Sequence, residues 1–330
     1  RPSPPPTNLP REDPMAQDPE PRQLTPRDDA YHLLTGVAMG AADVVPGVSG
    51  GTMAFIMGVY AQLIEAIRSF DLDLVKRLLR FDIRGALDQV PWRFLLALGS
   101  GIGLSILTLA HLVSWLLENQ RPLLYSLFFG LVLASIVAVA RDVRWSPTTV
   151  LGLVVGTALA FWLVGRVPVA MPNDPLTLFL SGSVAICAMI LPGISGSFIL
   201  LILGQYAYVL EAVKALDVIA LLPLAAGCVV GILGFARVLS WLFVHYEQLT
   251  ITLLVGLMIG SLRKIWPFKE TVETMIDRHG QEVPKVEHNL LPDPAAAETW
   301  FALGLCVAGF LIIRLLDLLR RRLVTEETAA

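Results

Sequence analysis

The stretch DVVPGVSGGT, residues 43–52, holds one proline, three glycines, a serine and a threonine within ten positions. Such a cluster is typical of a surface turn. Here, however, it lies between the apolar stretches GVAMGAA and MAFIMGVYAQLIEAI. The fold therefore depends on why the chain places turn-forming residues inside a hydrophobic span.

The composition indicates an integral membrane protein. Of 330 residues, 55% are hydrophobic and 16% are charged, whereas soluble domains carry nearer 25% charged residues. The mean hydropathy is +0.66. The net charge of -3 gives no basic field that would attract nucleic acid. The three cysteines lie in apolar runs without metal-ligand or disulfide spacing, so we expect no metal or cofactor.

Two apolar segments are too long for one crossing, which needs roughly 20 residues. They are 33–67 and 178–213, and each is broken near its centre by Pro-Gly. The remaining apolar segments are shorter and fall at 94–117, 123–140, 148–165, 218–243, 249–262 and 299–319.

The two broken segments are copies of one another. With Pro46 placed on Pro192, an offset of 146, PGVSGGTMAFIMGVYAQLIEAI aligns with PGISGSFILLILGQYAYVLEAV without a gap. A second block matches at an offset of 126, where SWL at 114–116 meets SWL at 240–242. The difference between the offsets is an insertion in the first copy, at about 69–92. Shared Pro, Gly, Glu, Trp and Tyr in register indicate a duplication.

Each copy is a broken segment followed by three spanning helices. If the broken segment crosses the membrane, the copies are parallel; if it is a re-entrant hairpin, the second copy is inverted. Basic residues favour the hairpin, because it places the insertion, Arg141, Arg144 and the arginines at 320–322 together on the cytoplasmic side. It places Arg263, Lys264 and Lys269 outside.

The predicted fold is thus an all-α polytopic membrane protein of two inverted repeats, each with a Pro-Gly-broken re-entrant helical hairpin and three transmembrane helices. The predicted organisation is a disordered tail at 1–29, repeat 1 at 30–166, repeat 2 at 178–320 and a C-terminal tail at 321–330. Within repeat 2, the polar loop 263–298 is expected to be extramembrane.

The insertion resembles an interfacial amphipathic helix. Leu72, Val75, Leu78 and Leu79 share one side, with basic residues on the other. A solvated linker is the alternative.

The broken segments are suited to binding an anion. Non-helical backbone at membrane depth needs protein or water around it, and the first N–H groups of the helix after each break favour negative charge. Broken helices from inverted repeats build such sites in secondary transporters. A tight helix crossing without a ligand is the structural alternative. The candidate anion-binding residues are Ser49, Gly50, Gly51, Thr52, Ser195, Gly196, Ser197 and Arg237, and the helix-breaking residues are Pro46, Gly47, Pro192 and Gly193.

Ionisable residues in apolar segments are candidates for proton coupling or gating. Asp43 precedes the first break, where the second copy has Met189. The other candidates are Glu65, Glu211 and His111, and the last of these aligns with Arg237. Alternatively, the two glutamates lie at the headgroup level and Arg237 snorkels to the interface.

The doubled motif PGVSGGT and PGISGS, with GVYAQLIEAI and GQYAYVLEAV, resembles the bacterial polyprenyl-phosphate transporter family over residues 30–320. The resemblance implies return of undecaprenyl phosphate across the cytoplasmic membrane for reuse in cell-envelope synthesis. It implies that Ser49, Gly50, Ser195 and Gly196 belong to the headgroup site. Protons are the expected coupling ion, because they would offset the cost of moving the phosphate charge inward. An intramembrane polyprenyl-pyrophosphate phosphatase and a small-anion transporter are the alternative functions.

Overall fold

The structure is a computed structural model that describes residues 26–44, 49–166, 171–276 and 282–329. In chain order, the described helices and strands are α1 (Pro26–Val44), α2 (Gly50–Ile56), α3 (Tyr60–Arg68), α4 (Leu72–Leu79), α5 (Ile83–Gln89), α6 (Trp92–Asn119), α7 (Arg121–Ala140), α8 (Pro147–Val164), α9 (Pro175–Ile190), α10 (Gly196–Ile202), α11 (Tyr206–Lys214), α12 (Val218–Ser261), β1 (Lys269–Ile276), β2 (Glu282–Asn289) and α13 (Ala297–Ala329).

The described helices confirm the predicted class of a helical, multi-pass membrane protein. Five of them are long and apolar enough to cross a membrane, and the number rises to seven if each of two bent pairs is one span. The bent pairs are α2–α3, at 118°, and α10–α11, at 117°. Each pair turns at a glycine with positive φ, Gly58 (+72°) and Gly204 (+69°), where a side chain would be strained. These glycines match at the offset of 146.

Some boundaries differ from the predicted ones. α1 begins at Pro26, inside the expected N-terminal tail, because proline suits a first helical turn and Asp28 and Asp29 favour a helix N-terminus. α13 continues to Ala329, through the expected C-terminal tail. α12 contains two of the predicted apolar segments, joined at Tyr246, whose backbone is not helical.

Close helix contacts recur at matched positions in the two halves. A Cβ on Gly36 of α1 or Gly101 of α6 would collide with a backbone carbonyl of the partner helix. The same holds for Gly182 of α9 and Gly227 of α12. Gly36 corresponds to Gly182 at the offset of 146, and Gly101 corresponds to Gly227 at the offset of 126. Both halves therefore use glycine to bring the same pair of helices together.

We expect Gly101→Ala to destabilise the protein by about 1–3 kcal/mol, because its methyl group overlaps backbone that has no room to move. Gly99→Ala is the matched control on the same helix, since no atom lies within 4 Å of a Cβ there. The control should be neutral or stabilising, as alanine favours a helix over glycine. Unfolding titrations in detergent measure both values, and equal stability of the two variants would contradict the close contact.

The remaining spanning helices pack one half of the molecule against the other. A Cβ on Gly130 of α7 would collide with the carbonyl of Cys306 in α13. A Cβ on Gly256 of α12 would collide with the carbonyl of Leu153 in α8. Gly130 and Gly256 match at the offset of 126, so the same contact occurs twice and the halves interlock.

The insertion contains two short helices, α4 and α5, instead of the single amphipathic helix predicted at 69–92. The chain turns between them at Phe81, which has a positive φ of 57°. The predicted apolar side is exposed, with Leu72 at 76% and Leu79 at 75%. Leu74, on the other side of α4, is buried in a small cluster. The exposed apolar side is therefore free to contact lipid.

The loop at 263–298, expected to be polar and extramembrane, contains the antiparallel hairpin β1–β2. It lies at the opposite end of the bundle from the insertion. α6 begins beside the insertion and is 28 residues long, so it spans roughly 40 Å at 1.5 Å per residue. Arg121 follows the far end of α6 and forms an ion pair with Glu287 of β2. We call these ends the insertion end and the hairpin end.

Candidate functional site

The residues directly after the first break contact the second break. The Ser49 hydroxyl donates a hydrogen bond to the Met189 carbonyl at 2.9 Å. The backbone N–H of Gly193 donates to the Thr52 hydroxyl at 2.8 Å. A Cβ on Gly51 would collide with the Ile190 carbonyl. Segments some 140 residues apart in sequence thus form one buried contact. We call residues 49–52 and 189–197 the central junction.

An internal carboxylate occupies the start of α2. The backbone N–H of Gly50 donates to Asp43 Oδ1 at 2.7 Å. The N–H of Gly51 donates to the Ser49 hydroxyl, which caps the helix. Since a helix N-terminus favours negative charge, Asp43 lies where an external anion would otherwise bind.

The second break has a different arrangement. Pro192 and Gly193 lie at the break, and Gly193 has a φ of +91°. Ser195 precedes α10 but makes no side-chain capping bond; its hydroxyl lies 2.7 Å from that of Ser197. Ser195 and Gly196 are buried, whereas Ser197 is exposed. The second half has Met189 at the position corresponding to Asp43, and of its two hydroxyl residues only Ser197 reaches the surface.

Arg237 lies away from the junction, at the insertion end. Its guanidinium donates to the carbonyls of Leu233, at 2.6 Å, and Phe70, at 3.2 Å. It lines a cavity of about 450 Å³ together with Arg68 and Ser240. None of the hydrogen bonds that Arg237 makes in the described chain reaches either break.

The two glutamates also lie away from the junction. The Ser240 hydroxyl donates to Glu65, whose other oxygen pairs with Arg68 at 3.3 Å. The side chains of Glu65 and Arg68 are 55% and 53% exposed, and Glu211 is also exposed. Each glutamate lies in the last turn of its short helix, α3 or α11.

Three predicted residues lie outside what the structure describes: Pro46, Gly47 and the side chain of His111. Conversely, sequence reasoning did not select Lys264 as a site residue. Its ammonium lies 5.0 Å from the centre of the Phe198 ring, in the first turn of α10. Phe198 and Lys264 belong to different segments, and no spacing or motif links them.

The comparison with protein families identifies the group to which these features belong. A family model described as "VCA0040-like: Undecaprenyl phosphate translocase-like" matches residues 39–283. The chain belongs to this family. The translocase-like match includes both breaks, the insertion and β1, so the whole central junction falls within it.

Two curated relatives support the same assignment. A protein of Vibrio cholerae serotype O1 named "Polyprenyl-phosphate transporter" is 45% identical over 260 residues, which cover 78% of this chain and 84% of that protein. A Staphylococcus aureus protein of the same name is 29% identical over 260 residues, which cover 72% of this chain and 86% of that protein. No solved structure matches this translocase-like chain.

Proposed function

We propose that this chain translocates undecaprenyl phosphate, or a closely related polyprenyl phosphate, across the bacterial cytoplasmic membrane for reuse in envelope synthesis. The names of the relatives and of the family support this substrate. The observation that carries the proposal is the contact of residues 49–52, at the start of α2, with residues 189–193 of the second break, which brings the backbone beside both breaks together. An isoprenoid tail is stable in lipid, so only the phosphate requires a polar path.

We further propose that the repeats are inverted and that both broken segments are re-entrant. In the first half, Asp29 at the start of α1 pairs with Arg93 at 2.6 Å. After α3, the carbonyl of Ser69 accepts a hydrogen bond from Gln89. The start of α1 thus lies beside the start of α6, and α3 leads directly into the insertion, which supports entry and return at the insertion end.

In the second half, the broken segment is flanked by chain at the hairpin end. Arg263 donates a hydrogen bond to the carbonyl of Phe161, near the end of α8, and α9 follows α8. Three residues separate the end of α11 from the start of α12, which runs toward the insertion end. The two segments therefore open toward opposite ends of the bundle. The basic insertion end is the proposed cytoplasmic side, and α13 leads the C-terminus there.

The proposed path connects the two ends through the central junction. Ser49, Gly50, Gly51 and Thr52 contact the phosphate there from the first half. The second half contributes Ser195, Gly196 and Ser197. Arg237 binds the phosphate at the insertion end, where an apolar groove of about 710 Å³ between α4, α5 and α12 adjoins its cavity. This groove is suited to part of the isoprenoid tail.

Reconstitution tests the proposed function. In proteoliposomes with undecaprenyl phosphate in both leaflets, the protein should make all of the lipid accessible to an added, impermeant phosphatase. Liposomes without protein should expose only the outer-leaflet share. An equal result with and without protein would contradict the proposal. Release of phosphate from polyprenyl pyrophosphate before the phosphatase is added would instead support the enzymatic alternative.

We propose that Asp43 carries the coupling proton. Its carboxylate holds the N–H of Gly50, and two anions cannot share that position without a proton. Inward movement of each negative charge costs roughly 2.3 kcal/mol per 100 mV, which a co-transported proton offsets. Glu65, Glu211 and His111 are the remaining candidates for this role.

Asp43→Asn should therefore abolish the response of transport to an imposed pH gradient. Movement of the lipid phosphate down its own concentration gradient should continue in this variant. Asp217→Asn is the matched control, because Asp217 also accepts a backbone N–H at a helix start but lies at an exposed cap. An Asp43→Asn variant that responds to the gradient like the wild type would exclude Asp43 as the proton carrier.

A further inference from the structure

A group of three cations surrounds one carboxylate at the hairpin end. Arg121 Nη1 lies 2.6 Å from Glu287 Oε1. Lys269 Nζ lies 3.3 Å and Lys264 Nζ lies 4.0 Å from Glu287 Oε2. The bundle supplies Arg121 and Lys264, and the β-hairpin supplies the other two. We call these four residues the hairpin cluster.

The hairpin cluster carries an excess of two positive charges in a place largely removed from water. The side chains of Lys269 and Glu287 are only 8% and 10% exposed, and those of Lys264 and Arg121 are 23% and 32% exposed. The Tyr125 ring covers one side, with the Arg121 guanidinium and the Lys269 ammonium each 5.2 Å from its centre. Buried charges are costly unless paired, so the excess favours an additional anion.

The pKa values reflect this crowding. Burial lowers the pKa of Lys269 to about 8, with a further contribution from Lys264 and Arg121 against the opposing effect of Glu287. Burial would raise the pKa of Glu287, but the three cations hold it below its usual range. Glu287 is therefore a carboxylate that the cations keep ionised.

The hairpin cluster adjoins the central junction. Ser261, at the end of α12, lies against Gly193, where a Cβ would approach its hydroxyl oxygen to 2.7 Å. Lys264 follows three residues later, and its ammonium lies over Phe198 of α10. An anion held by Lys264 would thus lie beside the second break, on its hairpin side.

We propose that the hairpin cluster is a second phosphate-binding site, at which a lipid-linked phosphate monoester binds before it reaches the central junction. This inference rests on the proposed function and adds a binding step to it. A phosphate monoester carries about -1.5 to -2 near neutral pH, which matches the excess charge. Glu287 holds the cations in place when no phosphate is bound and opposes the phosphate when it arrives.

Binding of a short-chain, water-soluble polyprenyl phosphate to the purified full-length protein tests the site. Lys264→Gln and Lys269→Gln should each weaken binding about tenfold or more, since hydrogen bonds to charged groups are among the strong ones. Glu287→Gln should strengthen it, because an opposing charge is removed. Lys76→Gln is the matched control, since Lys76 is an exposed lysine paired with Asp73 at the insertion end, and it should bind like the wild type.

Lysine-to-arginine variants at positions 264 and 269 keep the charge and should restore most of the binding, which separates loss of charge from misfolding. Wild-type affinity in both lysine-to-glutamine variants would overturn the proposal. Inorganic phosphate is the second probe: binding as tight as that of the lipid phosphate would overturn the lipid-linked part. Transport by the wild-type protein in proteoliposomes tests the proposed function independently of these binding measurements, because that assay involves no substitution in the hairpin cluster.

The pH dependence offers a second readout. Between pH 7 and 9 the phosphate keeps its charge, because its second pKa is about 6, whereas Lys269 loses its proton as the pH passes its pKa of about 8. Binding should therefore weaken over this range, and Lys269→Arg should flatten the profile. Arg121, Lys264, Glu287 and Tyr125 are the other titratable groups that face Lys269. A wild-type profile that is already flat would contradict the role of Lys269.

Discussion

Adding a single methyl group at Gly51 is expected to slow transport about tenfold or more. A Cβ there would collide with the Ile190 carbonyl and approach that of Met189 to 2.9 Å. Both obstacles are backbone of the opposite break, so a change of side-chain rotamer does not relieve them. Overpacking of this kind costs about 1–3 kcal/mol, which corresponds to roughly tenfold or more in the population with a closed junction. The proteoliposome assay measures the loss in Gly51→Ala.

Gly103→Ala is the control for this variant. Gly103 lies in the spanning helix α6, and a Cβ there has no neighbour within 4 Å. The transport rate of Gly103→Ala should equal that of the wild type. Normal transport by Gly51→Ala, in a protein that folds normally, would show that the two breaks do not need their close contact.

The second large effect is expected at Thr52, where valine replaces the hydroxyl by a methyl group of similar shape. Thr52 is 1% exposed, and its hydroxyl is the acceptor for the backbone N–H of Gly193. Without it, this buried donor loses its partner, at a cost of about 1–3 kcal/mol. Thr52→Val should therefore lower both the unfolding free energy in detergent and the rate of transport.

Thr52→Ser keeps the hydroxyl and provides the comparison. It should retain most of the stability and transport that Thr52→Val loses. If Thr52→Val is as stable and as active as the wild type, the hydrogen bond to Gly193 does not hold the two breaks together.

The sequence was sufficient to predict where the chain breaks and which positions correspond between halves. The offsets of 146 and 126 came from polar and glycine residues in apolar runs, and the same offsets relate Gly36 to Gly182 and Gly101 to Gly227 in the structure. Such residues are informative because glycine and proline act through the backbone, and the backbone geometry is shared by both copies.

The surroundings of the side chains after each break were less predictable. Glu65 and Glu211 come soon after a break in an apolar run, so the sequence left open both a site within the membrane and a place at the headgroup level. The bends at Gly58 and Gly204 turn α3 and α11 by nearly 120° from the helices before them. Because the helix axis changes direction at those glycines, distance along the chain from a break does not give the position of these side chains.

The hairpin cluster could not be predicted because it depends on contacts between distant segments. Arg121 begins a spanning helix, Lys264 follows another, and Lys269 and Glu287 lie in a loop whose polarity indicated only an extramembrane position. In the sequence these charges look like ordinary headgroup-level residues. Only the β-hairpin pairing brings Lys269 and Glu287 back to the bundle.

The interlocked helices have a consequence for how the chain assembles. α7 packs on α13, and α8 packs on the second part of α12, which is one pairing made twice between corresponding helices. An isologous dimer of a single half would form the same two contacts across its twofold axis. In terms of assembly, each half of this chain contacts the other as one subunit of such a dimer would contact its copy. Because both halves belong to one chain, the first has Asp43 at its break while the second has Met189, a difference that two identical subunits could not have.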